Sequence, residues 1–132
     1  MRVVFGCGRD EVFLEVPDDA IVYQSHFPEA CSDPVRTVMD AVRRPIGAPP
    51  LREALQARRP GHVVVVVADI TRPVPNGLLL PLIIRELMAG GLEPAQIKVL
   101  VATGLHRPNE GDELREVVGD DRVLQTVSVA NH

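Results

Sequence analysis

The chain has no tryptophan, one tyrosine and three phenylalanines among its 132 residues, so its core has to be aliphatic. It has a single lysine, Lys98, against thirteen arginines, and any chemistry that needs a lysine amine therefore has one candidate. Its two cysteines, Cys7 and Cys31, lie far apart in sequence with no C-x-x-C or Cys/His cluster, which excludes a disulfide framework and a zinc site. No apolar run approaches the roughly 20 residues of a membrane span, and "MRVVFGCGRD" lacks the apolar region of a signal peptide. A cytoplasmic protein without membrane contact is expected. A net charge of −4, with no basic stripe and no interleaved aromatics, argues against nucleic-acid binding, where Lys and Arg must neutralise phosphates.

What is present is enough for a folded domain. With 45% apolar and 24% charged residues the composition is globular, and a chain of this length buries roughly two-thirds of its unfolded surface. Residues 2–5 and 12–16 flank a Gly-Cys-Gly turn and read as a β-hairpin. Residues 17–32 are irregular. Ser32 or Asp33 then caps a helix with Pro34 in its first turn and Val35, Val38, Met39 and Val42 at helical spacing, ended by Pro45. A second short helix, "PPLREALQARR", is closed by Pro60 and Gly61.

The second half alternates. "HVVVVVA" (62–68) reads as a parallel strand covered by helices on both faces, and "IKVLVATG" (97–104) as another buried strand. Between them "LLLPLIIRELMA" (78–89) predicts a helix stopped by Gly90 and Gly91; it starts near Leu78 to Leu80 so that Pro81 falls in its first turn. "NEGDELREVVG" predicts a short helix capped by Asn109, and "RVLQTVSVA" (122–130) a third strand. The expected fold class is α/β, a doubly wound, mostly parallel, Rossmann-like sheet with an N-terminal β-hairpin.

In such sheets ligands bind beyond the carboxyl ends of the strands. Two loops emerge there, "DITRPVPN" and "TGLHRPNEG", and adjacent strands would bring Asp69, Thr71 and Arg72 opposite Thr103, Gly104, His106 and Arg107. Taken alone, Asp69 and Thr71 are ordinary turn-closing residues and Arg72 an ordinary surface cation. Converging on one crevice with a histidine, whose unperturbed pKa near 6.5 suits acid/base work, they form a candidate site. His26 and His62 lack such surroundings, and His132 is the last residue.

"DITRPVPN" and "ATGLHRP", about thirty residues apart and each after a hydrophobic strand, resemble the paired signatures of the lactate racemase family, the nickel-pincer-nucleotide 2-hydroxyacid racemases and epimerases. The resemblance extends to "EVFLEVPDD" and "PPLREAL" and corresponds to that family's N-terminal domain. It implies that residues 1–132 are the N-terminal α/β domain of a larger protein acting on a small-molecule 2-hydroxy acid, its C-terminal domain being absent from this chain. It implies that His106 is one of two acid/base histidines acting on the substrate's 2-hydroxyl while hydride passes to the cofactor. Asp69, Thr71 and Arg72 would line the cofactor and substrate cleft together with Thr103, Gly104 and Arg107. The nickel-pincer nucleotide would be attached by residues outside this chain, and no metal ligand is expected within it. Ile70 stands where lactate racemase itself has histidine. "TVSVANH" has no closing helix, which fits a fragment. The alternative is a domain that binds phosphate or carboxylate without turnover, or an inactive fragment.

Overall fold

The computed structural model describes residues 1–8 and 10–132. They divide into two compact units, Met1–Ala30 and Cys31–His132.

The first unit is the expected hairpin. Strands β1 (Arg2–Cys7) and β2 (Asp10–Glu15) pair antiparallel from Arg2↔Glu15 to Cys7↔Asp10, so the strands run further toward the turn than their apolar segments suggested. Gly8, at φ 64°, takes the left-handed conformation that glycine adopts without cost. The Arg2 guanidinium lies 4.0 Å from the centre of the Phe13 ring. The Met1 ammonium donates to the Val16 carbonyl and to Asp18, each at 2.6 Å.

The second unit opens with helices α1 (Pro34–Arg43) and α2 (Leu51–Arg58). Asp33 is the cap of α1: its Oδ1 accepts the Arg36 N–H at 2.9 Å, and Pro34 follows where a missing N–H does no harm. Met39 is the buried member of the expected apolar stripe, while Val35 stays exposed. A three-stranded parallel sheet follows, in the order β3 (Val63–Ala68), β4 (Ile97–Ala102), β5 (Ser128–Asn131). Register runs Val63↔Ile97 to Ala68↔Ala102 and Lys98↔Ser128 to Val101↔Asn131. This is the expected α/β class. Ile97, Val99 and Val101 of the middle strand are essentially without exposure and pack with Leu80, Ile84, Leu87 and Val118 in the core.

Four local expectations are corrected. The valine run is not covered on both faces: Val67 is buried, but Val64 and Val66 are 51% and 62% exposed. Alternation was hidden because valine occupies both faces of β3.

Helix α3 runs from Asn76 to Ala89, so Pro81 lies inside it rather than in its first turn. Tertiary contacts outweigh the lost hydrogen bond. Asn76 Nδ2 donates to the Val117 carbonyl at 2.8 Å, and Gly77 packs so closely on Gly119 that a Cβ at 77 would lie 2.6 Å from the Gly119 oxygen.

The segment 122–130 is not one strand. Asp120 caps a helix over Asp121–Thr126, accepting the Arg122 N–H at 2.8 Å, and only Ser128–Asn131 is β5. Helix α4 (Asp112–Val118) precedes that helix, α5, and begins after Gly111 with no side-chain cap, so Asn109 is not its cap.

Beneath these layers Glu86, 1% exposed on α3, accepts from Arg52 of α2 at 2.7 and 3.1 Å and from Arg43 of α1 at 3.0 Å. These bonds, those from Arg52 foremost, hold its carboxyl below the ordinary range despite burial. No helix among the described residues is long and apolar enough to cross a membrane.

Candidate active site

The pairing Ala68↔Ala102 sets the carboxyl ends of β3 and β4 side by side, so the residues that follow, Asp69 and Thr103, start from matched positions. Both are buried, at 6% and 4%.

After β3 the chain turns at once: the Arg72 N–H donates to the Asp69 carbonyl at 3.1 Å, and Val74 and Asn76 each donate to the carbonyl two residues back at 2.8 Å. Pro73 and Pro75 suit this tight path, because they have no N–H and the turn's donors are Arg72, Val74 and Asn76. After β4 the turn is closed by the His106 N–H donating to the Thr103 carbonyl at 2.9 Å. Gly104 sits within it at φ 58°, a conformation that side chains with a Cβ rarely adopt.

The two turns meet at Asp69. Its Oδ1 accepts from the Thr71 hydroxyl at 2.7 Å and from the Thr71 N–H at 3.3 Å, while its Oδ2 lies 2.5 Å from His106 Nδ1. The Thr71 hydroxyl first, and His106 second, hold the Asp69 carboxyl below the usual carboxylate range. An ionised Asp69 only accepts, so a hydrogen bond at this contact calls for the Nδ1–H tautomer of His106. The ring's other nitrogen, Nε2, is left for a ligand, on a side chain 57% exposed.

A cavity of about 550 Å³ opens beside this pair, with His106, Arg72 and Gly104 among its lining and Val66 and Ala102 of the sheet as apolar floor. Arg72 is exposed and forms no ion pair among the described residues. Thr71 faces a separate cavity of about 340 Å³ with Asn76 and Val117.

Of the seven residues singled out from sequence, Asp69, Thr71 and His106 are brought into one hydrogen-bonded group. Arg72, Thr103 and Gly104 line the cavity beside it. Arg107 turns away, its guanidinium gripping Glu113 through two bonds of 2.6 Å, and it does not line the cavity.

Two residues at this edge were missed. Asn109, 2% exposed, donates its N–H to Asn131 Oδ1 at 2.9 Å, and its carbonyl accepts from Asn131 Nδ2 at 3.0 Å. The signal for Asn109 was its place three residues after His106, which the helix-cap reading absorbed. Nothing in the sequence marked Asn131.

Comparison with known proteins identifies the family. Residues 7–132 match the model of the lactate racemase N-terminal domain. Over 87 residues, 66% of this chain, the sequence is 39% identical to a lactate racemase of Lactiplantibacillus plantarum. Over 86 residues, 65% of the chain, it is 34% identical to a lactate racemase of Thermoanaerobacterium thermosaccharolyticum. The matched stretch spans 20% of the length of each of these relatives. With the family model covering nearly all of the sequence, the chain belongs to the lactate racemase N-terminal domain family.

Proposed function

We propose that this chain is the N-terminal part of a 2-hydroxyacid racemase or epimerase of the lactate racemase kind. His106 moves the proton of the substrate's 2-hydroxyl, and Arg72 holds the carboxylate. The observation that carries this reading is the contact between Asp69 and His106 Nδ1. A buried carboxylate favours the Nδ1–H tautomer, in which Nε2 carries the lone pair, and this is the arrangement of an oriented general base. Arg72 adds a planar fork suited to a carboxylate and is not neutralised by an acidic neighbour among the described residues. The cavity between them has the size of a small-molecule site.

The reading includes a nickel-pincer nucleotide, as the signature loops imply. The residues of this chain do not fit its metal: among the described residues no group of three or more His, Cys, Asp or Glu could hold an ion. Lys98 lies near the amino end of β4, remote from the loops at the carboxyl end. Metal ligands and cofactor attachment are therefore assigned to a longer protein. The setting proposed is a cytoplasmic enzyme of small molecules, free of nucleic acid and membrane.

The test is a chiral assay of D- and L-lactate and related 2-hydroxy acids with the longer protein that carries this chain. Interconversion lost in His106→Ala and Arg72→Ala, and partly restored in Arg72→Lys, is expected. Activity indifferent to His106 would sink the assignment. The 132-residue chain alone is expected to be inactive, since a single base addresses one face of the reacting carbon.

A further inference from the structure

The oriented histidine depends on two loops keeping one separation, and Asp69 and His106 cannot set that separation by themselves, because His106 stands on an exposed turn. We propose that Asn109 is a positioning residue that fixes the loop after β3 against the loop after β4 and so holds His106 on Asp69; this rests on reading His106 as an oriented base.

The side-chain amide of Asn109 works in two directions. Its Oδ1 accepts the N–H of Ile70, the residue next to Asp69, at 3.3 Å. Its Nδ2 lies 3.4 Å from Glu113 Oε2, and Glu113 is gripped in turn by Arg107, the residue after His106. The backbone of Asn109 is paired both ways with the side chain of Asn131, which stands opposite Val101 in the β4–β5 register. One buried residue thus bonds the neighbour of Asp69 directly, reaches the residue after His106 through Glu113, and is paired with Asn131 of β5.

A carboxamide suits the position because an acceptor and a donor are needed on one short, buried side chain. Aspartate would set a second carboxylate against Glu113, and serine is too short to span both partners. Arg107, which adds nothing to the cavity wall, gains a role here: with Glu113 it anchors the donor side of the same amide.

The test reads the tautomer of His106 by long-range ¹H–¹⁵N spectra of the 132-residue chain at about pH 8, where imidazoles are neutral. The sequence has four histidines, and His106→Ala identifies the signal. In the wild type His106 should carry its proton on Nδ1. In Asn109→Ala, and in the milder Asn109→Ser, the signal should move toward the Nε2–H form preferred by a free imidazole, while the amide spectrum stays dispersed. A folded variant with His106 still in the wild-type tautomer overturns the inference, as does loss of dispersion in both variants, which would make Asn109 a residue of the fold alone. Asp69→Ala separates the role of Asn109 from that of the oriented base. If Asp69→Ala shifts the tautomer and the Asn109 variants do not, only the role of Asn109 fails. If Asp69→Ala leaves it unchanged, the oriented base fails and takes this inference with it.

Discussion

Two buried carboxylates serve opposite ends. Glu86 and Asp69 are both nearly without exposure and both held below the ordinary carboxylate range, yet Glu86 is closed off by Arg43 and Arg52 while Asp69 is closed off by a hydroxyl and a histidine. Both partners of Glu86 are cations that can donate but never accept, and they fasten α1 and α2 to α3. The partner of Asp69 is a half-exposed imidazole with a second ring nitrogen. The two pairs differ in what the partner can still do: an arginine only donates, whereas an imidazole has a second nitrogen able to donate or accept.

The largest effect should come from removing that free nitrogen. His106→Ala in the longer protein is expected to lower turnover by about 10²- to 10⁴-fold, the usual worth of general acid/base catalysis. Its folding stability should stay within about 0.5 kcal/mol of wild type, because the side chain is exposed. Steady-state rates and a melting curve check both, and a large shift in melting would place His106 with Glu86 instead.

Glu86→Ala should do the reverse, costing about 1–3 kcal/mol in urea unfolding by removing the charge-assisted bonds that join α3 to α1 and α2, with no direct effect on the proton step.

The backbone contact of α3 gives the next effect. Gly77→Ala would normally favour a helix by about 1 kcal/mol, but here a Cβ meets the Gly119 oxygen, so a loss of about 1–3 kcal/mol is expected by the same measurement.

The smallest effect is in pH. Because Glu86 titrates lower folded than its ordinary value of 4.5, its contribution is fully present above that value and is lost as pH falls through the folded one. Between pH 7 and about 5 the stability gap between wild type and Glu86→Gln should be constant, and below about 4.5 it should narrow. A gap that widened on acidification would reverse the assigned direction.

How far the sequence revealed this follows from range. The parallel pairing of β3 with β4 and the meeting of the two loops were legible from the valine run, "IKVLVA" and the loop sequences, since each signal is local or periodic. The Asp69–His106 contact was legible as a shared crevice but not as a bond, because thirty-seven positions separate the partners. Asn109 was misread for the same reason: an asparagine ahead of an acidic turn satisfies the local rule for a helix cap, while its actual partners, Ile70 and Asn131, are distant in sequence. The start of α3 was missed because Pro81 speaks locally and Gly119 does not.

The exposed valines of β3 have a consequence for handling the chain in solution. The strand is uncharged, lies at the edge of its sheet, and shows Val64 and Val66 to solvent, so it combines β-branched residues, absence of charge and an unpaired rim. That combination is the signature of segments that recruit identical copies into stacked, intermolecular strands. For this domain on its own, the concentration at which it stays monomeric would be governed by five valines rather than by its overall folding stability.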